Sequence, residues 1–241
     1  MKKFLVLISI FFVGLSANAV NVTADFSDTY INEDFITMEN IWHKLGKREE
    51  KLNTIGSKIL SANKIPKRVN FVLLRGNYTV NAMTYYSTKT IKVYAGLFNY
   101  IDNDDELAAV LSHEIAHDMD YYDGIGKLIA MKFNSKSYEY KADEKGIDYM
   151  VKAGYNPVAM ITIMNKIGGE SIFDWGTFTS HPKTSSRLMR DYEYIYRKYP
   201  NYLTSPMTKN IYYVNWTNTA SKDIQKFQQH EKEKAAKRGN L

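Results

Sequence analysis

The chain has 241 residues, 44% of them hydrophobic and 24% charged, with a formal charge of +6 and no cysteine. That length fits one globular domain with a sizeable core, and with only 13 Gly and 5 Pro the composition excludes a collagen-like, disordered or disulfide-stapled protein. Without a thiol there is no cysteine nucleophile and no cysteine-based zinc site, so any metal centre must be built from imidazole and carboxylate.

At the start of the chain, Lys2 and Lys3 precede an apolar run from Phe4 to Val13, and Ala17-Asn18-Ala19 follows. This pattern predicts a secretory signal peptide over residues 1–19. The run is short of the roughly 20 residues that span a bilayer. The expectation is therefore an exported mature chain without a transmembrane helix, periplasmic in the first instance and secreted in the second, with peripheral membrane contact left open. Cleavage takes the charge from +6 to +4. So mild a charge, with signs alternating along the tail, points to no nucleic-acid partner.

Residues 20–64 predict N-terminal helices. Phe35, Met38, Ile41, Trp42, Leu45, Leu52, Ile55 and Ile59 recur at helical spacing, and Gly46 is the expected break between two helices. A core follows over residues 65–200. Val69 to Leu74 reads as a strand, Arg75-Gly76-Asn77 as a turn, Tyr78 to Thr84 and Thr90 to Tyr94 as further strands of a small antiparallel sheet. Asn103 and Glu106 form a capping box for the next helix. Tyr138 to Ala153 is helical up to Gly154, Asn156-Pro157 starts a helix to about Ile167, and a Tyr-rich helix runs from Ser185 to Tyr199. Residues 201–241 form a C-terminal extension with a polar helix over Ser221 to Gly239.

The helix begun at Asn103 carries His113-Glu114-Ile115-Ala116-His117, the pattern HExxH. Residues four apart share a helix face, so His113 and His117 can converge on one ion. Glu114 is turned about 100° from His113, beside the ion rather than on it, where a carboxylate can accept a proton from water and deliver it to a leaving amine. A catalytic zinc takes three protein ligands. The candidate third is Glu139, 22 residues beyond His117. Asp143, one turn further on the same face, can accept the outward N–H of a ligating histidine and fix its tautomer.

Several segments in one order resemble a known family: Val80-Asn81-Ala82, Ala95-Gly96-Leu97, the stretch from Glu106 to His117, Glu139-Tyr140-Lys141-Ala142-Asp143, Ala153-Gly154-Tyr155-Asn156-Pro157, and Ser180-His181-Pro182 with Arg187. Together, over about residues 65–190, they resemble the gluzincin metallopeptidases typified by the CAAX prenyl protease, HtpX, OMA-type and BepA-type proteases. The resemblance implies an α+β fold, a mainly helical zincin-like metallopeptidase domain whose small antiparallel sheet edges the cleft. It implies one Zn2+ per chain on His113, His117 and Glu139, with Glu114 as general base.

It further implies that the strand starting at Asn81 and Ala82 receives an extended polypeptide substrate. His181 becomes either a donor to the oxyanion or an occupant of the open zinc position, or else a residue that only positions its loop; Arg187 becomes an ion-pair partner of the site. The expected function is an exported zinc metalloendopeptidase acting on unfolded or misassembled envelope proteins. The rival is a non-proteolytic envelope chaperone or binding protein on the same scaffold, against which the presence of Glu114 weighs.

Overall fold

In the computed structural model, residues 38–66, 69–76, 79–121, 135–168 and 184–239 are described. The expected signal peptide and His181 lie outside them. The chain divides into two compact units between Arg48 and Glu49, and only helical residues 38–48 of the first are described.

Helix α1, Met38–Ala62, is continuous through Gly46, so the expected break is absent. One interior glycine costs a helix only about 1 kcal/mol relative to alanine. Within the second unit α1 buries Leu52, Ile55 and Ile59. Gly56 lies flush against Phe71, whose ring a Cβ at this position would strike. The helix ends with Lys64 in the left-handed region (φ 52°), where Ile65 N–H bonds Leu60 O and Lys64 N–H bonds Ser61 O. This is a Schellman end with lysine where glycine is usual.

Three strands follow: β1 (Asn70–Leu74), β2 (Ala82–Tyr85) and β3 (Thr90–Tyr94), in the order β1-β3-β2. The β2–β3 pair is antiparallel, as expected, but β1 joins β3 in parallel, so the sheet is mixed. Arg75-Gly76 is thus not a hairpin turn, because β1 and β2 lie on opposite sides of β3. The second strand is also shorter than its alternation predicted, starting only at Ala82. In this register Phe71, Leu73, Ile91, Val93, Ala82 and Thr84 share one face. The five apolar members of that face are buried.

Helix α2, Asp104–Tyr121, packs against this sheet and is buried on every side from Glu106 to Asp118. A helix enclosed all round shows little amphipathic periodicity, and its polar side chains need partners. Its N-terminus is capped by Asn103 Oδ1, which accepts the Glu106 N–H at 3.0 Å. Glu106 reaches back as a capping-box residue should, but to the Asp102 N–H at 2.9 Å. Its charge is met by Lys166, whose Nζ lies 2.6 Å from Oε1 and 2.5 Å from Asp102 Oδ2, while Thr162 Oγ1 donates to Glu106 at 2.8 Å. Glu106 has no solvent exposure and Lys166 is 7% exposed.

Helix α3, Ser135–Lys152, lies alongside α2 and closes with Gly154 at φ 76°. Tyr155 N–H bonds Met150 O and Gly154 N–H bonds Val151 O, a second Schellman end. Asn156 Oδ1 then caps α4, Val158–Gly168, which buries Val158, Met160, Ile161, Ile163 and Ile167. Each such side chain stabilises the fold by about 1.5–3 kcal/mol relative to exposure. Helix α5, Thr184–Lys198, meets α6, Ile211–Thr219, and α7, Ser221–Gly239, through aromatic packing: the Tyr192 ring centroid is 5.7 Å from that of Trp216 and 6.3 Å from that of Phe227. None of the described helices is long and apolar enough to cross a membrane.

Candidate metal centre

His113 and His117 project from adjacent turns of α2, and their Nε2 atoms stand 3.0 Å apart. From the facing helix α3, Glu139 brings Oε2 to 3.5 Å from His113 Nε2 and Oε1 to 3.3 Å from His117 Nε2. The close approach of the two helices depends on Gly146, where a Cβ would come within 3.2 Å of the His113 backbone nitrogen and 3.0 Å of Met160. All three side chains are buried, with one donor atom of each within 4.8 Å of the others.

The tautomer of His113 follows from its other nitrogen. Nδ1 lies 2.9 Å from Asp143 Oδ1. Asp143 is fully buried, and Arg187 of α5 grips it with Nε at 2.8 Å from Oδ2 and Nη2 at 2.7 Å from Oδ1. Burial pushes the Asp143 carboxyl up, but the Arg187 guanidinium and His113 outweigh it and hold the carboxyl below its ordinary range. A carboxylate only accepts, so the proton of His113 sits on Nδ1 and the Nε2 lone pair points inward. Arg187 Nη1 also reaches Glu139 Oε2 at 3.2 Å, so one cation steadies both Glu139 and Asp143.

Two imidazole nitrogens and a carboxylate crowded together form a donor set that positive charge stabilises. The same preference is visible in His117: burial opposes protonation, yet Glu139 raises its pKa to about 9. Donors bound tetrahedrally at 2.0–2.1 Å stand about 3.3–3.4 Å apart. The observed separations of 3.0, 3.3 and 3.5 Å bracket that value, so the set fits an ion of zinc's size and ligand preference.

Glu114 is 2% exposed, and burial raises its pKa against the pull of both histidines and of a hydrogen bond from Thr84. Thr84 Oγ1 donates to Glu114 Oε2 at 2.6 Å and lies 3.1 Å from the Glu114 carbonyl oxygen. Asn81 and Ala82 stand at the entry to β2, both buried. Asp191, one turn after Arg187 on α5, is 1% exposed, and burial, then the charge on Asp143, push its pKa well above the usual range.

Sequence reasoning missed Thr84, Gly146 and Asp191. Gly146 and Asp191 lie at helical spacing from Asp143 and Arg187, a signal that was available. For Thr84 no local signal exists, because its partner lies 30 residues away.

An HExxH helix whose two histidines meet a glutamate from a neighbouring helix is the ligand arrangement of zinc-dependent peptidases. The chain belongs to peptidase family M48, whose family model matches residues 46–121 and 120–191. It is 22% identical to the beta-barrel assembly-enhancing protease of Yersinia pestis, over 73% of this chain and 45% of that protein. The corresponding protein of Escherichia coli (strain K12) is also 22% identical, over 57% of this chain and 37% of its own length. The mitochondrial metalloendopeptidase OMA1 of Arabidopsis thaliana is 27% identical, over 48% and 30% respectively. The chain thus spans less than half the length of these relatives.

Proposed function

We propose that this protein is an exported zinc-dependent metalloendopeptidase that cleaves unfolded or misassembled polypeptides of the cell envelope. The observation that carries this reading is the convergence of His113, His117 and Glu139 beside the buried carboxylate of Glu114. Family membership supports peptide hydrolysis. The signal-like segment over residues 1–19 and the relatives whose name refers to β-barrel assembly support the envelope setting.

Zinc held by His113, His117 and Glu139 would supply a Lewis acid that polarises the scissile carbonyl and lowers the pKa of water to about 7. Glu114 takes the proton from the attacking water and passes it to the leaving amine. Asp143 and Arg187 keep His113 in the tautomer that offers Nε2. His181 keeps the three readings given above: slower cleavage by His181→Ala than by the parent marks a donor to the oxyanion, faster cleavage an occupant of the open zinc position, and an unchanged rate a residue that only positions its loop.

The side of β2 that pairs with no other strand among the described residues is where an extended substrate adds as a further strand. Glu114→Gln preserves the ligands and removes the base. It should keep one zinc per chain and lower the rate of casein cleavage by about 10²- to 10⁴-fold. Cleavage at the parent's rate would refute the assignment.

A further inference from the structure

We infer that Thr84 is a positioning residue for the base: its hydroxyl holds the Glu114 carboxylate in register with a peptide paired to the β2 edge. The inference rests on the peptidase reading above.

The two halves of Thr84 face different ways. Tyr94 N–H bonds Asn81 O at 3.0 Å, and the antiparallel register pairs Met83 with Lys92 and Tyr85 with Thr90. In such a ladder the residues that exchange bonds with the partner strand alternate with residues whose main-chain groups face outward. Asn81 therefore spends its C=O group, and Met83 and Tyr85 their N–H and C=O groups, on β3, while those of Ala82 and Thr84 face the outer edge. The side chains of Ala82 and Thr84 point to the sheet face that packs on α2, where the Thr84 hydroxyl meets Glu114.

Thr84 supplies the hydroxyl that bonds this carboxylate. Among the described residues, Glu114 Oε1 accepts no hydrogen bond and Oε2 accepts the 2.6 Å bond from Thr84. That length is in the range of short O–H···O⁻ bonds, which are about twice as strong as neutral ones. A β-branched side chain on a strand has few χ1 rotamers, so the hydroxyl is presented rigidly. A peptide that pairs with the outward groups of Thr84 is thereby fixed relative to the carboxylate that the same residue holds. Deleting the hydroxyl leaves the main-chain edge intact, so substrate binding survives while the base loses its orientation.

The test uses the zinc-loaded full chain and an unfolded fluorogenic peptide, with Thr84→Val, Thr84→Ala, Thr84→Ser and Glu114→Gln. Zinc per chain and the unfolding midpoint are measured for each. In whichever of the Val and Ala variants unfolds cooperatively with one zinc bound, kcat should fall about 10- to 100-fold. KM should stay within about twofold, and Thr84→Ser should recover most of the lost kcat. The inference is overturned if the hydroxyl-free variants keep the parent's kcat, if KM alone rises, or if Thr84→Ser is as slow as they are. If Glu114→Gln cleaves at the parent's rate, the assignment of the base fails and takes this inference with it. If that variant is inactive and the hydroxyl-free variants are not, only the role of Thr84 fails.

Discussion

Helix α2 carries two buried ionic clusters, and they are built differently. At its N-terminus Glu106 meets Lys166, Asp102 supplies a second carboxylate from an exposed position, and Thr162 and a backbone N–H complete the hydrogen bonds. In its second half Glu114, Glu139, Asp143 and Asp191 are all buried, and Arg187 is the guanidinium that two of them share. In the first cluster the buried Glu106–Lys166 pair is neutral and its bonds are made, and Asp102 adds one negative charge at the surface. The second buries four carboxyl groups beside one guanidinium, with two histidine nitrogens 3.0 Å apart among them. Carboxyl groups buried without a paired cation are costly, and on the zinc reading proposed above an ion would offset that cost.

The sharpest way to break this contrast is to remove the cation from each cluster. Lys166→Met strands the buried Glu106 and should cost about 3–5 kcal/mol by denaturant unfolding, a loss that added zinc does not restore. Arg187→Met strands Asp143 and Glu139 at comparable cost, and zinc should recover a measurable part of it, because the ion meets the same carboxylates. Equal recovery in both variants would erase the distinction.

A smaller effect is expected from chelation. An ion at a hundredfold excess over its dissociation constant stabilises the folded state by about 2.7 kcal/mol. Stripping the parent should lower its unfolding midpoint accordingly, and zinc should restore it. An unchanged midpoint would deny the site its cation.

The smallest effect concerns Asp191. Its folded pKa is raised, so its contribution to stability is fully present below the unfolded carboxylate pKa and is lost as pH climbs through the folded value. Asp191→Asn keeps the shape and cannot ionise. The variant should therefore gain stability relative to the parent as the pH is raised from 5 to 8, and a gain on acidification would contradict the assignment.

How much of this was legible in advance depended on distance along the chain. His113 and His117 share a face by helical spacing alone, as do Glu139 and Asp143, and the caps at Asn103, Gly154 and Asn156 follow from local backbone chemistry. The pairing of β1 with β3 joins segments 20 residues apart and has no local signature. The bond between Thr84 and Glu114 is equally non-local. Lys166 was silent for another reason: nothing in the string around it distinguishes a lysine under a glutamate from one in water. Gly46 was misleading, since a single interior glycine costs a helix only about 1 kcal/mol and does not by itself break it.

Gly146 sets the spacing of the candidate metal centre without contributing an atom to it. A methyl group there would have to move either the Met160 side chain or the His113 main chain. The second of these would spread the donors by tenths of an ångström, comparable to the difference in bond length between zinc and larger divalent ions. On the zinc reading proposed above, the fit of the donors to the ion is therefore governed partly by the absence of a side chain on the neighbouring helix.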